Sequence, residues 1–442
     1  MPIPHIPSLS SLADLPLELQ SHIASFLPLS STVQLYSTNR FFQSAKPVFN
    51  PLLLQQLLQR VIKTMICHDS RIFIMDHTHT LFACGSNASG QLGLGNMESP
   101  HSFKEVTELP AGKRIIKVCT GSKHTFILFE DGSLFATGDN SHGQLGLGDK
   151  VDRDVFTAVH PLPPEKKIKD VIAGAMHSFI LFDDGTLFTC GSNLEGELGI
   201  GDNVGPQRFT PVTQLPLEKK IQNIIASDYF SFILFDDNTL YACGRNSCGQ
   251  LGLGNNNNTN QFEAVTLLPA DKKIKEVIAG GMHSFIIFDD GTLFACGSNS
   301  FGQLGMGNNA QFHQFVEVTN PHPGSTIQKL IVGPMHSFII FDDGALFACG
   351  GNCYDQLGFG THSHKHFEVI GTLPSGKKVQ NVATGYSHSF ILFEDKTLFV
   401  CGQNETVLYR RKKPELSFEP VGKFNHWVEL YEHKSQQPRL RM

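Results

Sequence analysis

LFACGSNASGQLGLG, residues Leu81–Gly95, decides how this chain folds, because the chain repeats it. Copies begin at Leu134, Leu187, Leu240, Leu293, Leu346 and Leu398, and subtracting each start from the next gives 53 five times and 52 once. Spacing that regular marks one supersecondary unit stacked many times. Around the third copy, LFTCG at Leu187–Gly191 is preceded by HSFILF at His177–Phe182 across Asp183-Asp184-Gly185. Two runs rich in Phe, Ile and Leu across an Asp-Gly pair predict a β-hairpin, since Gly supplies the positive φ of a tight turn. Ile168–Ala173 upstream reads as a third strand and Phe209–Val212 downstream as a fourth. Four short strands per unit and seven units predict a mainly β fold, a seven-bladed β-propeller of four-stranded blades.

Bulk composition fits a repeat array. At 442 residues the chain is too long for one ordinary core unless repeats absorb the length. A formal net charge of -6 gives no global basic field to recruit nucleic acid. No stretch approaches the length of apolar run that spans a membrane, so no membrane partner is expected. The N-terminus lacks the basic and apolar regions of a secretory signal, and the C-terminus carries no prenylation box. Cys84, Cys190, Cys243, Cys296, Cys349 and Cys401 occupy one slot per unit, too far apart for disulfides. They are expected to be reduced, buried small hydrophobes, which points to the cytoplasm or nucleus, or to those compartments of a host cell for a bacterial protein.

Two repeated features imitate chemistry. Gly-Gln-Leu-Gly-x-Gly is not a dinucleotide loop: the spacing is wrong, a strand follows it, and six copies would need six cofactors. His124, His177, His283, His336 and His388 hold one equivalent position in different units, and Phe230 holds it in the fourth. Hydrogen bonding to backbone at the turn is the expected role, not a metal ring. Cys349 and Cys353 lack a second pair at metal-ligand spacing, and His362, His364 and His366 alternate on a loop. No catalytic set, no metal site and no cofactor are expected.

The turn Gly174-x-x-His177-Ser178, the Asp184-Gly185 hairpin, Gly191-x-Asn193 and Gly249-Gln250-Leu251-Gly252-Leu253-Gly254 resemble the regulator-of-chromosome-condensation repeat family, from about Cys67 to Tyr431. The resemblance implies the propeller. Some members act as guanine-nucleotide exchange factors on a small GTPase through a β-wedge inserted in one blade. Uniform spacing leaves no room for such a wedge here. A GTPase exchange factor or scaffold is therefore the alternative function.

Residues 10–66 carry no Asp-Gly hairpins. Asp14 can cap a helix with Pro16 in its first turn, and Leu19, Ile23, Phe26 and Leu27 follow at helical spacing up to Pro28. Asn50-Pro51 starts another, with Leu54, Leu57, Leu58, Val61, Ile62 and Met65 in one stripe. Leu15-Pro16-x-Glu18-Leu19, with Ile23, Phe26-Leu27 and Leu35, resembles an F-box, and Phe42 stands where such domains carry Trp. The resemblance implies that Leu15, Pro16, Leu19, Ile23, Phe26, Leu27 and Leu35 dock the SCF adaptor subunit, with Glu18 favoured near the helix's positive end. The expected layout is an F-box-like helical domain over 10–50, a linker helix over 51–66, the propeller over 67–432 and a tail over 433–442. The leading expectation is then a non-catalytic substrate receptor of a cullin-RING ubiquitin ligase. The adaptor would connect it to cullin and RING subunits, and the propeller would hold a target protein.

The seventh unit is broken. Glu405–Leu416 replaces its Gly-rich loop, and Phe418-x-x-Val421 remains as a fourth strand. Because the first unit reads as beginning with a helix, Trp427–Tyr431 is expected to insert into the first blade and close the ring. Asn255–Asn260, Asn308–Phe315, Thr361–His366 and Glu405–Leu416 differ most between units and are the candidate recognition loops.

Overall fold

Ile168–Ala173 pairs antiparallel with His177–Phe182, which pairs with Leu187–Gly191, which pairs with Thr210–Pro211. The Asp-Gly turn forms as expected: Gly185 sits at φ +85° and donates to the Phe182 carbonyl. In the fourth unit Asn238 takes that place at φ +71°, the side chain next most tolerant of left-handed backbone. A computed structural model describes residues 62–402, apart from 69–70, 77–78, 101–102, 361, 372, 375–376, 386–387 and 396–397, together with 419–421. It contains seven such four-stranded sheets, each in sequence order, the blades of a propeller.

Strand position explains composition. All six residues of His177–Phe182 are buried, because a second strand is covered by neighbouring blades on both faces. First strands of consecutive blades lie against each other, burying Ile168 and Val171 while their alternate residues stay partly exposed. The core therefore lies between blades. Phe126, Leu145, Ile180, Phe182 and Phe209 form one such cluster, shared by the second and third blades. Phenylalanine fills this space with edge-to-face pairs such as Phe182–Phe188, with centroids 5.2 Å apart.

One expectation fails at the start of the propeller. Ile62–His68 is a strand, the first of blade 1, where the end of a linker helix and a missing strand were expected. The physical reason lies in register: Ile62 stands 53 residues before Ile115, which stands 53 before Ile168. Ile62-Lys63-Thr64-Met65-Ile66 repeats the pattern of Ile168-Lys169-Asp170-Val171-Ile172, so its apolar residues fit strand as well as helix. Blade 1 is thus complete without a C-terminal strand. Trp427–Tyr431, the tail, Glu405–Leu416 and the expected helical domain over 10–50 lie outside the described residues. Glu419–Val421 pairs with Leu398–Gly402 as the expected fourth strand of blade 7. Among the described residues no blade carries an inserted hairpin, and no helix is long and apolar enough to cross a membrane.

Candidate protein-binding face

Successive strands run in opposite directions, so two kinds of turn share each face of the propeller. The face with the Asp-Gly hairpins carries an ion pair within each of blades 2 to 7. Lys219 Nζ lies 2.6 Å from Asp237 and 5.9 Å from the centre of the Phe235 ring. Lys113–Asp131, Lys166–Asp184, Lys272–Asp290 and Lys377–Asp395 repeat the pair. In blade 6, where Ser325 replaces the lysine, His322 lies 2.7 Å from Asp343. The hydrogen bond from Lys219 holds the Asp237 carboxyl at about 2, and Lys166 and Lys272 do the same to Asp184 and Asp290. Each pair satisfies one lysine, or His322, and one aspartate of its blade.

On the other face, the Gly-rich loop is a latch. Asn140 Oδ1 accepts from Leu145 N, its Nδ2 donates to Asp149 O, and Gly148 N donates to Gln207 O in the next blade. A Cβ on Gly146 would lie 2.4 Å from the Phe209 ring of that blade. Backbone must approach that closely for the latch to seat. The loop is structural, as its spacing indicated.

The repeated histidines are fasteners too, but not to backbone as expected. His177 Nε2 lies 3.0 Å from Ser231 Oγ of the next blade, and Ser231 donates to Glu197 O at 2.8 Å. His124–Ser178, His283–Ser337 and His336–Ser389 repeat this at 2.9, 3.1 and 3.1 Å. Since Ser231 Oγ spends its one proton on Glu197 O, the network assigns the donated proton to His177 Nε2. Nδ1 of His177, His283 and His336 is then bare, buried and without a hydrogen-bond partner. Burial drives each of these three rings down to about 3, so they stay neutral. The ring lies over the glycine of Gly-x-x-His; a Cβ on Gly174 would sit 2.3 Å from His177 Cε1.

The same slot holds two other solutions. In blade 4, Phe230 removes the imidazole and Ser227 replaces the glycine; Ser227 Oγ donates to Gly280 O of blade 5. In blade 1, buried Arg71 donates to Ser122 O at 2.5 Å and to Gly121 O. The sequence reading passed over Arg71, although it lies 53 residues before His124. Cys190 Sγ approaches Gln144 O at 3.5 Å, and burial pushes the thiols of Cys190, Cys243, Cys296 and Cys349 far up, leaving them unreactive. All cysteines described are free. His364 Nδ1 lies 3.0 Å from Glu368, and no cluster of metal-ligating side chains occurs among the described residues.

Apolar side chains are exposed in the latch loops of blades 1 to 3, at Met97, Val151, Leu194 and Val204, and, with aromatic groups among them, on blades 4 to 6. Met282, Phe301, Met335 and Tyr354 are 37, 36, 37 and 53 % exposed, beside half-buried Tyr229. Of the expected recognition loops, Asn255 and Asn308 serve the latch through Asn246 and Asn299, while Asn256, Asn257 and Asn309 remain exposed. The expected adaptor-docking residues Leu15, Pro16, Glu18, Leu19, Ile23, Phe26, Leu27, Leu35 and Phe42 lie outside the described residues.

A family model for the RCC1-like domain matches residues 141–409, and models for the regulator of chromosome condensation repeat match residues 78–128 and 115–144. No F-box model matches. The ultraviolet-B receptor UVR8 of Arabidopsis thaliana is 32% identical over 268 residues, 60% of this chain and 59% of that protein. The X-linked retinitis pigmentosa GTPase regulator of Homo sapiens is 31% identical over 336 residues, 74% of this chain and 32% of that protein. The chain thus spans a third to three fifths of the length of these two curated relatives. Yeast RCC1 (Prp20), solved bound to Kap60, superposes with a TM-score of 0.66 at 19% identity, covering 88% of this chain and 92% of that one.

Proposed function

This chain belongs to the RCC1-like domain family, and from that premise we propose that it is a non-catalytic platform whose propeller binds a partner protein, a small GTPase being the first candidate. The observation that carries the partner class is the match to a GTPase regulator over 74% of this chain. The chemistry of the repeats supports a platform. The repeated histidines fasten neighbouring blades, the repeated cysteines are buried between them, and the hairpin charges pair within blades, each a structural duty. With no inserted hairpin among the described residues, the platform holds its GTPase without driving nucleotide exchange. Free, buried thiols suit a reducing compartment, cytoplasm or nucleus. The test is a panel of small GTPases, each GDP-loaded, loaded with a GTP analogue and nucleotide-free, presented to the immobilised full chain. Release of fluorescent nucleotide is followed in parallel. Saturable binding without faster release is expected; no binding to any member removes the GTPase, and faster release makes the chain an exchange factor.

A second reading keeps the ligase receptor, and Leu15-Pro16-x-Glu18-Leu19 with the apolar spacing after it favours it. Under that reading the full chain pulls down SCF adaptor and cullin, and Leu15→Ala with Pro16→Ala abolishes both. Cullin retained by the double variant would remove the docking assignment.

A further inference from the structure

The turns and loops of blades 4 to 6 on the latch face carry almost no charge. The three loops over 245–258, 298–311 and 351–363 together contain Arg245, the buried Asp355 and the exposed His362 as their only ionisable residues besides thiols and one tyrosine. The Gly-x-x turns of the same blades add only Asp228, which is engaged within the protein. Neighbouring turns come close to one another. A Cβ on Gly281 would lie 3.5 Å from Pro334 Cα, and one on Gly351 would lie 3.5 Å from Met335 Cβ and 3.6 Å from the Phe301 ring. Ser227 ties the Tyr229 turn to the turn before Met282. Uncharged Asn256, Asn257, Asn309 and Gln311 stand exposed in the same loops. Methionine and aromatic groups flanked by polar residues match the anatomy of a protein interface.

Arg245 is the one arginine or lysine in these loops. Its guanidinium stacks on Tyr229 at 5.7 Å, and Nε donates to Ser247 Oγ at 3.1 Å. No carboxylate among the described residues pairs with it. Two contacts thus hold the plane in place while its terminal nitrogens remain available, a geometry suited to receiving a carboxylate in bidentate fashion.

We propose that Tyr229, Met282, Met335, Phe301 and Tyr354 form the docking surface for an extended partner segment with a large apolar side chain adjacent to Asp or Glu, whose carboxylate pairs with Arg245. This rests on the reading that the propeller binds a partner protein, and it assigns the face and the chemistry of that binding.

The probe is a random peptide library displayed on phage, selected against the full chain, with selected sequences synthesised and titrated. Enriched peptides should pair an aromatic or large aliphatic residue with a neighbouring Asp or Glu. Arg245→Ala should weaken them roughly tenfold, as should Met282→Ser with Met335→Ser. Leu217→Ser, on the opposite face, should leave them unchanged. Arg245→Glu should reverse the preference toward analogues carrying Lys in place of the acid. Melting temperatures matching the parent chain confirm that each variant is folded. Enriched peptides lacking the acid, indifferent to Arg245, or competing for a second copy of the chain overturn the proposal, as does failure to enrich any sequence. A GTPase that binds the wild type and the Arg245 and methionine variants equally well keeps the platform reading and removes this surface. Absence of both peptide and GTPase binding removes both.

Discussion

His177 and Ser231, on consecutive blades, meet at 3.0 Å through Nε2 and Oγ, and the serine donates its own hydrogen bond back to the carbonyl of Glu197 on the blade of His177. Each seam built this way sets a hydroxyl between an imidazole and a carbonyl in buried surroundings, where a missing partner is expensive. The slot therefore reports on stability, not on catalysis, and the first two predictions follow from it.

His177, His283 and His336 are held at about 3 by burial, against 6.5 in the unfolded chain. Folded-state values below the unfolded value mean that the stabilisation is fully present above pH 6.5 and is lost as pH falls toward 3. Each ring should steepen that loss by about 1.4 kcal/mol per pH unit once well below 6.5. Urea denaturation between pH 7.5 and 5 should show the decline, and His283→Phe should reduce its slope by close to one proton.

Blade 4 supplies a double-mutant cycle. Phe230→His alone would set an imidazole over the Cβ of Ser227, where the other described seams that carry histidine place glycine. It should destabilise, and adding Ser227→Gly should recover most of the loss, with a coupling of about 1 kcal/mol or more. Additive effects in thermal unfolding would contradict the account of the slot.

Repetition made most of this legible. The 53-residue spacing, the Asp-Gly hairpins and the four-strand blade could all be read from residues, because each unit solves the same packing problem. Two features escaped where one unit departs from the others. Ile62–Ile66 has apolar positions that suit helix and strand alike, and only its register with Ile115 distinguishes them. Arg71 escaped because a buried cation does not resemble histidine, although its position in the repeat is the same. The His–Ser contact joins residues 54 apart, and no local pattern reveals a bond between neighbouring units. Which lysine meets which aspartate on the hairpin face is a matter of geometry.

Glu197 stands where five other blades carry Gln, at Gln91, Gln144, Gln250, Gln303 and Gln356. Burial raises its pKa against the opposing pull of hydrogen bonds from Ser192 and the Glu195 N–H. A carboxyl raised above its unfolded value of 4.5 is disfavoured when ionised, so the cost grows as pH rises from that point. Glu197→Gln should stabilise at neutral pH by of order 1 kcal/mol, and the gain should shrink as pH falls to 4.5. A gain that is independent of pH would contradict ionisation as its cause.

Two glycines separate backbone strain from close approach. Gly185 has φ +85° with nothing within 4 Å of an added Cβ, so Gly185→Ala should cost about 1 kcal/mol. Gly146 has φ +71° and the Phe209 ring 2.4 Å from its Cβ position, so Gly146→Ala should cost about 3 kcal/mol or more. Equal costs by chemical denaturation would mean the latch does not need its close seat.

Hydrogen–deuterium exchange of the full chain, alone and with a GTPase that binds it, tests most directly which face receives the partner. Protection is predicted at the turns and loops around Tyr229, Arg245, Met282, Phe301, Met335 and Tyr354. Protection confined to the hairpins at Asp183–Gly185, Asp236–Asn238, Asp289–Gly291 and Asp342–Gly344 would contradict it.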